Sequence, residues 1–294
     1  MLVSIIIVNY NTFDVTCDCI ESVLKHTKGV DYEIVLVDNA SPKDNPDLFV
    51  SKFPGIRLVK NPENNGFACG NNLGIAHAKG DVMLLLNSDT ILTEDSISIC
   101  AKVLEDRTGT GFLTCRLVYA DGKYQHNARA FRSIRNELLD LARPLLKLMP
   151  YEKRAKLMLN QYFHGDFNTV CDWVSGAFMM FRKSLLQHLP EGKLDERFFM
   201  YGEDMLWCQQ ALQAGYSNYF VADTTVIHIA NASTEPAKQL KLLNITLTHD
   251  LEVIRLQRGN SLYFYALQFI YTTKEKLRYY IKVLVMRLFK YRIR

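Results

Sequence analysis

The first ninety residues contain apolar runs that each end at an asparagine or an aspartate. Three of them, LVSIIIVN, EIVLVD and VMLLLN, end at Asn9, Asp38 and Asn87. Short apolar runs rich in branched residues are typical of strands that are buried on both faces. Helical patterns at residues 15–27 and 67–80 separate these runs. Strands that alternate with helices predict an α/β fold, with βαβ units and a mostly parallel, Rossmann-like sheet.

Polar side chains gather where the predicted strands end. In open α/β sheets, ligands bind beyond the carboxyl ends of the strands. We therefore predict a binding site at this edge of the sheet. The polar residues at the strand ends are Asn9, Asp38, Asn39, Asn87 and Asp89.

Later segments continue the pattern less regularly. A third strand is predicted from Ile56 to Val59, and WVSGAFMMF at 173–181 is predicted to be one further strand. The stretch 198–215 is typical of a loop that enters a helix ending at a glycine. Residues 120–170 are rich in Arg and Lys and are interpreted as an insertion, or as an acceptor-side segment.

The usual phosphate-binding loops are missing from the sequence. The turn after the first strand is NYNTFD, without the G-x-G-x-x-G pattern, and no G-x-x-x-x-G-K-[ST] occurs. A nucleotide would then need another means of holding its phosphates, such as Mg²⁺ or Mn²⁺ bound by carboxylates. Asp89, just past a buried strand, suits that role, although Asn87 and Asp89 could equally shape an Asx turn.

Two further positions have a chemical and a purely structural interpretation. Glu203 and Asp204 lie in the first turn of a predicted helix, where the helix dipole favours an ionised carboxylate. Such a group can act as a general base, or can simply cap the helix. His228 ends a short apolar run, where a histidine is more often a packed residue than a ligand.

The ordered set of motifs resembles the inverting A-type (GT-A) glycosyltransferases of the large family 2, which includes bacterial rhamnosyltransferases and other cell-surface glycan transferases. The resemblance covers about residues 1–235. The matching stretches are VSIIIVNYNT, EIVLVDNAS, NPENNGFACGNNLGI, LLLNSDT, VSGAFMMFRKSLL, LDERFFMYGEDMLWC and VIHIANAS.

This resemblance implies roles for particular residues. Asp204 would remove the proton from the acceptor hydroxyl, beside Glu203. Asp89 and His228 would hold Mg²⁺ or Mn²⁺ against the donor diphosphate. The residues implied to contact the nucleotide-sugar donor are Asn9, Tyr10, Asn11, Asp38, Asn39, Asn65, Gly66, Phe67, Asn71, Asn87, Ser88 and Gly176.

The resemblance also implies a reaction, in which one displacement transfers the sugar to a hydroxyl of a glycan or lipid-linked glycan with inversion. The VDNAS form resembles relatives that use dTDP-rhamnose, and UDP-sugars stay open. The family's metal-binding turn often begins with Asp, whereas this chain has Asn87, whose neutral amide is a weaker cation ligand than a carboxylate. A non-catalytic nucleotide-sugar-binding homologue and a nucleotidyltransferase remain alternatives.

The C-terminal part has a different character. Residues 255–294 carry ten Lys or Arg and one acid, a net +9, while the remaining residues carry −5. On a helical wheel, Leu277, Ile281, Leu284, Val285 and Leu288 form one apolar side, opposite Lys276, Arg287, Lys290 and Arg294. Such a helix is typical of the membrane interface. We predict a catalytic domain at 1–235 and a basic amphipathic helical extension at 236–294.

This extension is predicted to dock on an anionic membrane surface, and removal of the chain from Lys274 onward is predicted to leave folding intact. A helix that packs on the catalytic domain or on a partner is the alternative. The N-terminus lacks signal-peptide features, no Cys-x-x-Cys occurs, and the seven cysteines are expected to be reduced. We expect a cytoplasmic protein at the inner face of the membrane, without a nucleic-acid partner, and the sequence leaves a homodimer open.

Overall fold

The structure is a computed structural model that describes residues 1–230 and 236–291, with side chains at 1–230 and 240–285. It divides into two compact units. The sheet unit comprises Met1–Ala130 and Ala155–Ala230, and the helical unit comprises Phe131–Arg154 and the helices after residue 235. Part of the predicted insertion therefore groups with the C-terminal helices. The functional roles given to the two domains stay predictions.

The sheet unit contains all the strands of the described residues. The polar strand ends predicted from sequence fall at the ends of β1, β2 and β4. The strands are β1 Leu2–Asn9, β2 Asp31–Asp38, β3 Arg57–Lys60, β4 Val82–Asn87, β5 Thr90–Leu92, β6 Thr110–Val118, β7 Ala128–Arg129, β8 Thr169–Cys171, β9 Trp173–Val174, β10 Phe178–Arg182 and β11 Ser217–His228.

The main sheet has the order β3-β2-β1-β4-β10-β6-β11-β5, with β8 beside β11. β1 pairs in parallel with both β2 and β4, and the register places Asn9 beside Asp38 and Val8 beside Asn87. The antiparallel strand β10 follows β4. The predicted α/β class and mostly parallel sheet are confirmed, and the register brings the polar ends of β1, β2 and β4 to one edge.

Helices cover the sheet because their apolar sides join its core. Val82–Leu86 in β4 is buried throughout, and the α1 side chains Ile20 and Val23 pack in the same core. The helices are α1 Phe13–His26, α2 Asp47–Lys52, α3 Phe67–His77, α4 Ser96–Asp106, α5 Ile134–Leu141, α6 Arg143–Leu146, α7 Tyr151–Leu157, α8 Leu159–Tyr162, α9 Glu203–Gln213, α10 Pro236–Arg258 and α11 Leu262–Tyr291. Two short 3-10 helices span Lys183–His188 and Pro190–Gly192.

Two elements differ from the sequence prediction. The stretch 173–181 is not one strand, because the chain leaves β9 at Val174 and enters β10 only at Phe178. Gly176 lies in this gap, and next to it the Asn87 amide at the end of β4 donates to the Ala177 carbonyl at 2.9 Å. The helix predicted at residues 67–80, which is α3, ends at His77 rather than at Gly80, because the backbone at Ala78 is already extended.

A buried ion cluster joins α5 to α11 in the helical unit. Lys274, whose side chain is 10% exposed, forms an ion pair with Glu137 and lies 2.8 Å from Asp140. Arg278 also binds Asp140, and both carboxylates are almost fully buried. Burial acts to raise the pKa of Asp140, but the ion pairs with Arg143, Lys274 and Arg278 outweigh it and lower the pKa. The cluster fixes α5 against α11.

This cluster bears on the prediction that the chain folds without the residues from Lys274 onward, which stays a prediction. Truncation before Lys274 would remove Lys274 and Arg278 from this cluster and leave Arg132 and Arg143 as the cations beside Glu137 and Asp140. Lys274 and Arg278 are therefore packed within the helical unit. Along α11, Leu277, Ile281 and Leu284 remain more than half exposed. The side chains of Arg287, Leu288, Lys290 and Arg294 lie outside those the structure describes.

None of the helices in the described parts of the chain combines the length and the apolar character needed to cross a membrane. The cysteines, all within the sheet unit, are free thiols, and only Cys69 is not fully buried. Burial raises the pKa of the Cys19 thiol to about 12, which keeps it protonated and unreactive near neutral pH.

Candidate active site

A buried hydrogen-bond network ties the ends of β1 and β2 together. The Asn9 side-chain amide donates to the Asp38 carboxylate at 2.8 Å, and both residues are at least 97% buried. Asp38 also accepts a short hydrogen bond from the Ser41 hydroxyl at 2.6 Å. The Asn9 side-chain oxygen accepts from the hydroxyls of Thr12 and Thr16, which fixes the start of α1. The loops after β1 and β2 are thus held in one arrangement.

A tight turn joins β4 to β5 and carries Asp89 to the same edge. The Thr90 hydroxyl donates to the Asn87 carbonyl at 2.8 Å and closes the turn. β5 then pairs antiparallel with β11, with Thr90 opposite His228. This pairing places the Asp89 Oδ1 atom 3.2 Å from the His228 Nε2 atom, although the two residues are 139 positions apart in sequence. The Ala230 amide donates to the other Asp89 oxygen at 3.1 Å.

Gln125 fixes the orientation and the tautomer of His228. Its side-chain nitrogen donates to the His228 carbonyl at 2.6 Å, so its side-chain oxygen must face the imidazole. That oxygen lies 2.8 Å from Nδ1 and accepts the Nδ1 proton. The Nε2 lone pair of the neutral ring therefore points at the Asp89 carboxylate. Two acceptors in this position need a proton or a cation between them.

The residues at this turn fit a divalent cation whose coordination is completed by a ligand. Asp89 offers an oxygen and His228 an unprotonated nitrogen, which suit Mn²⁺ and, less well for the nitrogen, Mg²⁺. Asn87 turns its amide nitrogen toward Nε2 at 3.3 Å, so in this conformation it donates a hydrogen bond rather than offering an oxygen. Within residues 1–230 and 236–291, no group of three or more His, Cys, Asp or Glu could hold a metal. The phosphate oxygens of a bound nucleotide would have to supply the missing ligands.

The pKa of Asp89 agrees with an ionised carboxylate. Burial acts to raise this pKa, but when the His228 ring carries a proton at Nε2, its hydrogen bond and positive charge, together with the hydrogen bond from Ala230, outweigh burial and lower the pKa. The carboxylate is thus negatively charged at neutral pH and available to a cation.

Asp204 is brought to the site by the gap between β9 and β10. The Gly176 amide donates to the Asp204 Oδ2 atom at 3.2 Å. A side chain at position 176 would meet the Phe67 ring at 3.3 Å and the Asp204 side chain at 3.7 Å, so only glycine leaves this space open. Phe67 stacks on Trp207 with ring centroids 6.3 Å apart. A carboxylate, an aromatic ring and an open backbone segment therefore surround one space.

Backbone strain concentrates around the same edge. In the part of the chain that the structure describes, five residues other than glycine have a positive φ, and four of them follow β1, β2 or β11 or precede α9. A residue keeps such a conformation only where the surrounding structure holds it in place. Residues of this kind cluster at ligand sites. They are Asn11, Ala40, Tyr201 and Ala230.

Two glycines shape the loop that precedes Asp204. Gly202, at φ 92°, takes the left-handed conformation that starts α9 and places Glu203 and Asp204 in its first turn. Gly66, at φ 98°, lies against the Phe199 carbonyl, which a side chain at position 66 would approach to 2.3 Å. The Phe67 amide donates to that carbonyl at 3.0 Å. The loop before α9 is thus attached to the start of α3.

Glu203 differs from its neighbour. It is buried, and its Oε2 atom has no hydrogen-bond partner among the described residues. Burial, together with the negative charge of Asp204, raises the pKa of Glu203 to about 8. A carboxyl that is neutral at pH 7 is a poor proton acceptor.

The predicted donor residues fall into two groups. Asn9, Asp38, Asn39 and Asn71 are buried and bind the protein itself; the Asn71 amide, for example, donates to the Phe67 carbonyl at 2.9 Å. They form the framework of the site. Tyr10 and Asn65 are exposed, and Asn11, Phe67, Asn87 and Ser88 are partly so. Donor contacts for both groups stay predictions.

Gln125 was missed by the sequence analysis. It lies in the irregular stretch between β6 and β7, outside every motif, and 103 residues separate it from His228. No local signal distinguishes a buried amide that orients a histidine from an ordinary polar loop residue.

The chain was compared with known families and proteins. The family profile described as Glycosyl transferase family 2 matches residues 4–189. An uncharacterized glycosyltransferase, YwdF of Bacillus subtilis, is 30% identical over 36% of this chain and 39% of its own length. The rhamnosyltransferase WbbL of Escherichia coli is 27% identical over 73% of this chain and 80% of its own length. The N-acetylglucosaminyl-diphospho-decaprenol L-rhamnosyltransferase of Mycobacterium tuberculosis is 25% identical over 70% of each chain.

Coverage of other curated relatives is lower: the chain spans 14% of an uncharacterized protein of Sinorhizobium fredii and 36% of the glycosyltransferase GlyG of Streptococcus pneumoniae.

Solved structures share the fold. A mannosyltransferase from Pyrobaculum calidifontis, in complex with GDP-Man and Mn²⁺, has a TM-score of 0.61 at 16% identity, over 91% of this chain and 69% of its own. GalNAc-T7 with UDP, GalNAc and Mn²⁺ has a TM-score of 0.60 at 17% identity, over 87% of this chain and 48% of its own. The expected GT-A fold is confirmed.

We predict that Gln125→Leu frees the His228 ring. Without the acceptor at Nδ1, the imidazole proton should redistribute to Nε2, where Asp89 can accept it. Long-range proton–nitrogen NMR correlations of the histidine rings in the metal-free protein measure this. Gln209→Leu, at a buried glutamine in α9, serves as the matched control and should leave the tautomer unchanged. An unchanged Nδ1 proton in Gln125→Leu would refute the tautomer assignment.

We also predict that Glu203 makes stability depend on pH. The folded chain keeps the Glu203 proton up to a pKa of about 8, whereas the usual value is 4.5. Between these values the unfolded chain binds fewer protons than the folded chain, so the free energy of unfolding falls as the pH rises. Glu203→Gln cannot ionise and should flatten this fall in urea unfolding across the range. Glu105→Gln, at an exposed site in α4, should retain the wild-type slope, and an equal slope in all three proteins would contradict the assignment.

Proposed function

The chain belongs to glycosyl transferase family 2, and from this premise we propose that it is an inverting glycosyltransferase. It would move a sugar from a nucleotide-sugar donor to a hydroxyl of a glycan or lipid-linked glycan in cell-surface polysaccharide synthesis. The observation that carries the proposal is the convergence of three groups at one sheet edge. These groups are the β1–β2 network at Asn9 and Asp38, the Asp89–His228 pair, and Asp204 beside Gly176.

The donor is proposed to be dTDP-rhamnose or a UDP-sugar. Two relatives that align with about 70% of this chain are named rhamnosyltransferases, which supports a deoxysugar donor. Tyr10 is 46% exposed next to the buried end of β1, where its ring can stack on a base. Asp38 still has acceptor capacity beyond its bonds to Asn9 and Ser41, and a ribose hydroxyl could use it.

The reaction would be a single displacement. Asp204 would accept the proton of the acceptor hydroxyl as that oxygen attacks the anomeric carbon, and the nucleoside diphosphate would leave on the opposite side. The hydrogen bond from the Gly176 amide holds the Asp204 carboxylate in place. Neutral Glu203 next to it adds no second negative charge. A divalent cation bound at Asp89 and His228 would offset the charge that develops on the diphosphate.

We propose that the enzyme is peripheral, with α11 at an anionic membrane surface where a lipid-linked acceptor would be presented. The exposed side chains Leu277, Ile281, Leu284 and Val285 support this, since an apolar row beside basic residues is typical of an interfacial helix. Lys276 and Lys282 are exposed near this row, whereas Lys274 and Arg278 bind acids of the helical unit.

We predict that Asp204→Asn lowers the rate of transfer about 10²- to 10⁴-fold, because a neutral amide cannot accept the proton. Donor binding should be unchanged in titration calorimetry. Asp18→Asn, the same substitution on the exposed side of α1, should retain full activity. A turnover within about threefold of wild type in Asp204→Asn would exclude Asp204 as the base.

We predict that Mn²⁺ strengthens binding of the nucleoside diphosphates dTDP or UDP, and that Asp89→Ala removes this gain, a loss of about tenfold or more. Calorimetry with Mn²⁺ and with a chelator measures the difference. Asn87→Asp is the informative counterpart, because a carboxylate near His228 should increase the gain from Mn²⁺. Equal affinity with and without chelator in the unmutated protein would refute the metal site and leave the transfer proposal standing.

A further inference from the structure

Four leucines of the helical unit are exposed in one short stretch. Leu138, Leu141, Leu145 and Leu148 are 55%, 67%, 69% and 84% exposed. Leu138 and Leu141 lie one turn apart in α5, and Leu145 and Leu148 lie one turn apart in and just after α6. Single exposed leucines are common, but a contiguous apolar patch marks an interaction surface. We call these four residues the leucine face.

The leucine face is fixed in its outward orientation. Glu137 and Asp140, on the same helix as Leu138 and Leu141, are buried in ion pairs with Lys274 and Arg278 of α11. The Ile134 amide donates to the Tyr263 hydroxyl at 3.1 Å, and the Ile134 side chain packs against the apolar core of the helical unit. Turning Leu138 and Leu141 inward would break this buried network, so these two leucines cannot be reserve core residues of the same unit.

The charge of the helical unit indicates what the leucine face binds. In the sequence, residues 131–154 and 231–294 together carry 18 Lys and Arg against 7 Asp and Glu, whereas the sheet unit carries 17 against 24. The net charge is thus +11 for residues 131–154 and 231–294 and −7 for the sheet unit. Arg135, Lys147 and Lys153 are exposed along the segment that holds the leucines. Among its acids, Glu137 and Asp140 are buried and paired, and only Glu152 is exposed.

We propose that the leucine face is a membrane-docking surface that inserts into the headgroup region of an anionic phospholipid bilayer. A bilayer of this kind binds exposed leucines that lie beside exposed cations, through apolar burial together with attraction to anionic lipids. A protein partner would need acidic groups placed opposite these particular cations and around an apolar patch. An anionic bilayer meets the same two requirements without such a specific arrangement. The proposal goes beyond the contact assigned to α11. The proposal rests on the proposed function only for the use of this surface, which would bring the enzyme to a lipid-linked acceptor.

The test uses the full chain with Leu141→Ser and Leu145→Ser combined. Sedimentation with vesicles of equal parts phosphatidylglycerol and phosphatidylcholine should show binding of the unmutated chain, and the double variant should bind at least about tenfold more weakly. Its melting temperature should not fall, because both side chains are already exposed. Leu48→Ser, at a leucine of the sheet unit that is 50% exposed, is the matched control and should bind vesicles like the unmutated chain.

The charge part of the proposal has its own measurement. Vesicles of phosphatidylcholine alone should bind the chain weakly, and added salt should weaken binding to the anionic vesicles, since exposed charges are screened. Equal binding to both vesicle types would overturn the assignment of an anionic bilayer.

Two further results would overturn the proposal. One is a double variant that binds anionic vesicles as the unmutated chain does. The other is a chain that ignores vesicles but dimerises in analytical ultracentrifugation, with the double variant monomeric, which would make the leucine face a self-association surface. Donor hydrolysis without vesicles separately tests the proposed function, so an inactive chain that binds vesicles would refute the enzyme and not the docking surface.

Discussion

The buried hydrogen bond from Asn9 to Asp38 is the contact on which the rest of the candidate site depends. It joins the ends of two parallel strands where both side chains are almost entirely removed from water. A buried carboxylate that loses such a partner costs more than the 1–3 kcal/mol typical of an unsatisfied polar group. The same two residues hold Thr12, Thr16 and Ser41, so the start of α1 and the loop after β2 follow from this one contact. The positive φ values at Asn11 and Ala40 are tolerated because these loops are held at both ends.

The edge of the sheet could be predicted from sequence, whereas its final contacts could not. Buried runs that end in Asn or Asp require neighbouring parallel strands, and the parallel register then brings Asn9, Asp38 and Asn87 together without further information. The Asp89–His228 contact needs a different fact, the antiparallel pairing of β5 with β11, which no local pattern contains. Gln125 is harder still, because its role depends on the direction of a single side-chain amide. Gly176 was singled out, but in a strand that proved to be two strands separated by a loop.

The helical unit shows a second limit of sequence patterns. A helical wheel sorts α11 into apolar and basic sides, and it treats all the lysines and arginines on a side as equivalent. In the structure they are not equivalent, because Lys274 and Arg278 neutralise buried acids of α5, while Lys276 and Lys282 remain exposed. The partners are 134 and 138 residues apart in sequence. The charge of a segment is visible from its sequence, but which of its charges are free to act on another molecule depends on packing.

The neutral side chain at position 87 changes the electrostatics of the proposed donor site. A turn with carboxylates at both ends would repel a nucleoside diphosphate strongly until a cation bound, so donor and cation would depend closely on each other. Here Asp89 is the one carboxylate of the turn, and its charge is already partly offset by the hydrogen bond from the Ala230 amide. The repulsion is therefore smaller, and so is the attraction for a cation. In the proposed reaction the cation would then contribute less to holding the donor and relatively more to the departing diphosphate, where the negative charge is greatest.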